Sequence, residues 1–225
     1  MSSDTTVLIA SVPDRQLLLY KVLQSLYPQV ERVCLSLNGY QQSPRWLDCF
    51  SKVQHIIHLV DERRANIVWE WMGSTHCYVF VTDDDILYPS DYVQRMRAAL
   101  DLHDKKGVMT VHGKWFGPTG SPCLAHFAFP LPCERRVSIA GVGTCCFHTD
   151  ELAPTPNDFS DPYFRDLQFS LLCQRKSLPI YAIGRKGKWL SGMPTSAPTL
   201  CDVTRKNEDL QVRGFQLMEG LRHGK

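Results

Sequence analysis

Residues 77–89 read Cys-Tyr-Val-Phe-Val-Thr-Asp-Asp-Asp-Ile-Leu-Tyr-Pro, an apolar run of strand character that stops at Asp83, Asp84 and Asp85. A strand that ends in clustered carboxylates sets them at the C-terminal edge of a sheet, where open α/β folds bind their ligands. Like charges this close raise one another's pKa and are costly unless a cation joins them. Oxygen ligands of this kind suit hard divalent ions, magnesium or manganese, which commonly share their shell with substrate phosphates. The stretch therefore reads as a metal-bridged phosphate site. The plainer reading is a solvated turn in which one Asp caps the helix that begins near Pro89.

Upstream, residues 6–10 form a short apolar run, and Pro13-Asp14 opens a segment in which Leu17, Leu18, Val22, Leu23 and Leu26 recur at helical spacing. Residues 30–37 predict a second strand closed by the turn Asn38-Gly39, and residues 53–60 a third that runs into the charged turn at 61–64. A helix over 65–72 precedes the acidic strand, and an amphipathic helix over 90–103 follows it. Strands alternating with helices at this interval predict a parallel sheet with right-handed crossovers. Beyond Gly107, strand-like pieces at 108–112, 124–129 and 136–140 suit a mixed or antiparallel extension. A helix over 162–176, a strand over 179–183, a Gly-, Pro- and Ser-rich stretch over 184–198 and a terminal helix from 204 complete the chain. With no internal repeat or low-complexity linker, one α/β domain over 1–225 is expected.

At 225 residues, 44% hydrophobic and 21% charged, the chain can bury a full core. A net charge of +2 without a basic block argues against a nucleic-acid partner. No stretch reaches the roughly 20 apolar residues of a membrane span, and the first residues lack the basic start and apolar core of a signal peptide. A cytosolic protein is expected. Nine cysteines with no Cys-x-x-Cys spacing support neither a zinc site nor a disulfide framework, and most read as buried free thiols.

Other short segments take their places around the acids: Ala10-Ser-Val-Pro-Asp-Arg15 after the first strand, residues 61–69 before the acidic strand, Val111-His112-Gly113, and Gly141-Val-Gly-Thr-Cys-Cys-Phe-His148. Arg165-Asp166-Leu-Gln-Phe-Ser-Leu-Leu-Cys-Gln, residues 180–183 and Arg185-Lys-Gly-Lys-Trp-Leu190 follow. In this order the chain resembles family 2 glycosyltransferases of the GT-A fold over about residues 7–190, particularly bacterial enzymes that build capsule, lipopolysaccharide or related surface glycans. The resemblance implies a Rossmann-like GT-A domain with a nucleotide-sugar-binding half to about residue 106 and an acceptor-binding half after it. It also implies transfer of a sugar from a nucleotide-diphosphate sugar, most often a uridine diphosphate (UDP) sugar, to an acceptor hydroxyl with inversion. The implied acceptor is a glycan or lipid-linked glycan, and the implied place is the cytoplasm, at the inner face of the membrane if peripherally associated.

The same resemblance assigns roles. Asp83, Asp84 and Asp85 would hold Mn²⁺ or Mg²⁺, with Asp83 and Asp85 selected by an Asp-x-Asp reading and Asp84 by relatives that carry Asp-Asp at the strand end. A neighbouring Asp would contact the donor's ribose. His148 is the third-ligand candidate, with His112 close behind. Asp166 matches the general base, aided by the dipole at its helix start, and Asp161 is the fallback. Ala10, Ser11, Arg15, Asn38 and Asp61 would line the nucleotide pocket, with Arg63 and Asn66 in the same turn. Asn66 departs from the pattern, since many relatives carry lysine there. His112, Gly141, Gly143, Thr144 and Trp189 are the expected substrate-side residues, Trp189 by stacking on a sugar ring.

Two other enzyme classes place acids or βα units similarly. Haloacid-dehalogenase-like phosphatases carry Asp-x-Asp after the first strand, whereas these acids follow the fourth. Nucleotidylyltransferases need a Gly-rich basic loop near the start, which Ser11-Val-Pro-Asp-Arg15 is not. A degenerate transferase domain kept as a binding or scaffold subunit is the non-enzymatic alternative.

Overall fold

The computed structural model describes residues 4–59, 62–73, 76–117, 121–195 and 206–223. Its centre is an eight-stranded sheet. The strands are β1 (Thr5–Ser11), β2 (Arg32–Asn38), β3 (Val53–His58), β4 (Tyr78–Thr82), β6 (Val108–Thr110), β9 (Arg135–Val137), β11 (Thr144–His148) and β12 (Ile180–Ala182), in the order β3-β2-β1-β4-β11-β6-β12-β9. The β3-β2-β1-β4 block is parallel throughout, as the βα alternation predicts. β11 then enters antiparallel between β4 and β6, so strands from the second half of the chain complete the same sheet.

β1 and β4 are buried on both faces, which explains why their sequences read as unbroken apolar runs. Side-chain alternation still sorts them. Val7 and Ile9 face the layer of α1 (Gln16–Leu26) and α2 (Tyr92–Asp101), where Leu19, Leu23, Tyr92 and Met96 are fully buried. Leu8, Val79 and Val81 face the other layer, built on Trp69 and α3 (Arg165–Arg175). There the Trp69 indole stacks on Phe159 at 4.8 Å and on Phe169 at 5.7 Å. The last helix, α4 (Glu208–His223), packs on α3.

Two small sheets flank the main one: β10 (Ile139–Ala140), β7 (Gly113–Phe116) and β8 (Pro122–Ala125) in one, and β13 (Ser191–Gly192) with β5 (Ile86–Leu87) in the other. They are the antiparallel extension, but its details differ from expectation. The strand expected at 136–140 breaks at Ser138, whose N–H turns to the Lys114 carbonyl at 2.8 Å, so β9 joins the main sheet and β10 the smaller one. The helix expected over 65–72 is a 3-10 segment, Arg64–Trp71. Arg64 enters it at φ 54°, and the β-branched and aromatic residues Ile67, Val68 and Trp69 are poor α-formers. Of the described cysteines, Cys34, Cys77, Cys145, Cys146 and Cys173 are buried, and none of those described forms a disulfide. No helix among the described residues is long and apolar enough to cross a membrane.

Candidate active site

A cleft of about 1520 Å³ opens along the C-terminal edge of the parallel block, lined by Ala10 and Ser11 at the end of β1, Arg15 in the turn after it and Asn38 at the end of β2. Asp83, Asp84 and Asp85 form its floor, and Asp166 comes in from the start of α3. His112, Gly141, Gly143 and Thr144 supply the wall on the far side. The sequence motifs thus converge on one concavity at the edge where parallel strands end.

Within the floor the three acids have different surroundings. Asp84 is buried, with Oδ2 accepting from Ser11 Oγ at 2.7 Å and Oδ1 from Arg15 Nη1 at 2.9 Å. Burial raises its pKa against the opposing pull of Arg15 and Ser11. Asp85 shares the same Arg15 nitrogen at 3.1 Å, and burial followed by repulsion from Asp83 pushes it up to about 6. Asp83 accepts from Arg165 Nη2 at 2.9 Å and keeps 39% of its side-chain surface accessible. Its backbone N–H donates to the hydroxyl of Tyr88, which donates to the Gly143 carbonyl at 2.8 Å. A Cβ at Gly143 would overlap the Asp83 carboxylate, so a glycine is needed there for the acid to lie against the loop.

Asp166 Oδ1 accepts from the Val142 N–H at 3.1 Å, and the Asp166 carbonyl accepts from Ser170, whose oxygen in turn accepts from the Ala140 N–H. These bonds fix the helix start against β10. Desolvation raises the Asp166 pKa, Arg165 opposes this, and the effect is tempered because 49% of the side-chain surface opens on the cleft. Arg165 spans the two acid groups, with Nε 4.0 Å from Asp166 and Nη2 on Asp83. Sequence alone assigned Arg165 no role; its place beside Asp166 at a helix start was the available signal.

The carboxylates of Asp83, Asp84, Asp85 and Asp166 outnumber the guanidiniums of Arg15 and Arg165 by two, and they are hard oxygen donors, so a divalent cation fits the cluster chemically. Among the described residues no group of three or more His, Cys, Asp or Glu is arranged to hold a metal by itself. A cation here would take one or two carboxylates and complete its shell from a bound diphosphate, the usual situation for magnesium beside phosphates.

Several expected residues lie elsewhere. His148 is opposite Tyr78, at the far end of β4 from the acids, because β11 runs antiparallel. Four residues of strand separate the two ends, about 13 Å, so His148 is no ligand to this cluster. Instead it is buried edge-on to Tyr78, with Nδ1 accepting from the Asp150 N–H. Asp161 is fully engaged: its carbonyl accepts from Asn66 and Gln168, Oδ1 accepts the Tyr163 N–H, and Oδ2 pairs with Arg213 of α4. That organises a turn and leaves no free base. Asn66 is buried by the same link, and Arg63 turns to Glu70 at 2.6 Å; neither lines the cleft, where Glu62, Arg64 and Ala65 represent that turn. Asp61 lies outside the described residues.

Trp189 packs on α2 instead of facing the cleft. Its indole N–H donates to Asp91 at 2.9 Å, and the Arg95 guanidinium lies over its ring at 4.1 Å. Thr144 lines the cleft but spends its hydroxyl on the backbone, accepting from the His112 N–H and donating to the Gly141 carbonyl. It holds His112 in place. His112 packs against His126 and Phe127 with ring centres 4.8 and 4.7 Å away, and burial, then His126, lowers its pKa to about 4. A Cβ at Gly141 would overlap the His112 side chain.

Compared with known proteins, the chain matches no family model and no curated protein at a significant level.

Proposed function

We propose that the chain is an inverting glycosyltransferase that moves a sugar from a nucleotide-diphosphate donor, of the UDP-sugar class, to an acceptor hydroxyl with the aid of a divalent metal. One observation carries the reading: the Asp83–Asp85 cluster and Asp166 face one cleft at the C-terminal edge of a parallel βα block, with Ala10, Ser11, Arg15 and Asn38 beside them. Bound Mn²⁺ or Mg²⁺ would neutralise the charge that develops on the departing diphosphate. Asp83 and Asp85 are its best holders, because both oxygens of Asp84 are committed to Arg15 and Ser11.

The chain's own residues account for the rest. Ser11 and Arg15 fix Asp84, and Arg15 also meets Asp85, so the floor is ordered before a ligand arrives. Asp166 accepts the acceptor's hydroxyl proton as that oxygen bonds to the anomeric carbon and the carbon–oxygen bond to the diphosphate breaks, its electron pair leaving with the diphosphate. The Val142 N–H holds the carboxylate's orientation. The resemblance to surface-glycan enzymes is the support for a role in bacterial polysaccharide synthesis.

A panel of UDP-sugars assayed for release of UDP, with manganese and then with excess chelator, tests the proposal. Metal-dependent release from one donor is expected; no release from any UDP-sugar at any metal concentration contradicts it. One observation favours a second reading, a binding module without turnover: Arg15 and Arg165 already neutralise part of the acid cluster. Nucleotide binding without any release of UDP would favour it.

A further inference from the structure

With Trp189 turned to α2, the phenyl and phenol rings that line the cleft are those of Phe127, Tyr163 and Phe164, each half-buried, and of Phe215 on the last helix, which is exposed. Helix α4 buries Leu210, Gly214 and Leu221 and turns an adjacent stripe, Gln211, Phe215 and Met218, to the cleft. Phe215 is 57% exposed there. The helix is held at two points beside the base. Gly214 lies against the ring of Phe164, two residues before Asp166, where a Cβ would come within 2.8 Å of that ring. Arg213 pairs with Asp161 in the turn that leads into α3.

The geometry points to Phe215 as an acceptor platform: a ring on which the apolar C–H face of an acceptor pyranose lies while its hydroxyl edge turns to Asp166. This rests on the transfer reading above. A pyranose has one face of C–H groups and a rim of hydroxyls, and the cleft offers partners for both, with an exposed phenyl ring on one wall and the polar groups of Asp166, Lys114 and Gln211 elsewhere in its lining. A lipid tail would want a continuous apolar wall, but the same cleft carries Asp83, Asp85, Arg64 and Arg165. Val212, equally exposed on α4 at 58%, is not among the residues that line the cleft and provides a matched control.

Saturation-transfer NMR with the methyl β-glycosides of glucose, galactose and N-acetylglucosamine at millimolar concentration tests the platform on the full chain. At least one glycoside should receive saturation on its C–H face protons. F215A should raise its dissociation constant about tenfold, with F215W restoring it and V212A leaving it unchanged. Absence of saturation for every glycoside, or equal affinity in wild type and F215A, overturns the assignment. So does transfer confined to the alkyl chain of octyl glucoside, which would make the surface a lipid site. The UDP and manganese melting shift, measured in parallel, should be the same in F215A as in wild type. Its absence from wild type would count against the transfer reading, while the glycoside titration still decides the platform.

Discussion

Asp166 and Arg15 take different parts in this site, and single substitutions separate them. On the proposed role of Asp166 as proton acceptor, Asp166→Asn, which keeps the size and the Val142 contact, should lower turnover about 10²–10⁴-fold while UDP binding persists. Steady-state rates beside a nucleotide-binding titration check this. Arg15→Ala leaves Asp84 buried without its cation, and denaturant unfolding should show a loss of about 3–5 kcal/mol. His112 gives a pH signature. Its pKa is depressed from 6.5 to about 4, so the unfolded chain takes the proton first, and stability falls as pH drops from about 6.5 to 4. At about 1.4 kcal/mol per unit the effect is at most on the order of 3 kcal/mol. Asp85, raised to about 6, acts with the opposite sign over much of that window, because the folded chain takes its proton first. The test is therefore the difference between wild type and His112→Gln in unfolding free energy across pH 4–7, where the variant should lose less on acidification.

The elements show why some residues could be placed from sequence and others could not. The parallel block was legible because β1, β2 and β4 are short, mostly apolar runs followed by helical or charged punctuation, with the edge strand β3 more polar, and the acids were legible because they end one of those runs. Strand direction was not. The segment ending at His148 reads the same whether it runs with or against β4, and only its antiparallel pairing carries that histidine away from the acids. Trp189 fails for a related reason: sequence places it after β12 but does not show that Asp91, just before α2, and Arg95 within it hold it. Phe215 offered no signal, since a terminal helix declares its cleft face only once packed on α3. Gly143 is the element-scale test. Gly143→Ala sets a methyl group against Asp83 within a loop also tied to Tyr88, and should cost about 1–3 kcal/mol and displace the acid. Thermal melting and metal-dependent UDP binding should both decline.

Across the whole molecule, the sheet joins what the sequence separates. The acids follow β4 in the first half of the chain, while the turn into the neighbouring β11 and the start of α3 supply Gly143 and Asp166 from the second. The cleft is the seam between them, and on its floor Asp83, Asp84, Asp85 and Asp166 outnumber Arg15 and Arg165 by two, the excess of negative charge on which the proposed cation and diphosphate site rests. A ligand that binds only the folded chain raises its stability, by about 2.7 kcal/mol at a hundred times its dissociation constant. The most direct measurement is therefore the melting shift of wild type and of D83N/D85N with UDP alone, manganese alone and the two together. A shift in wild type that needs both ligands and is lost in the double variant is expected; no shift with both present, or an undiminished shift in D83N/D85N, would rule out a metal-bridged diphosphate at these acids.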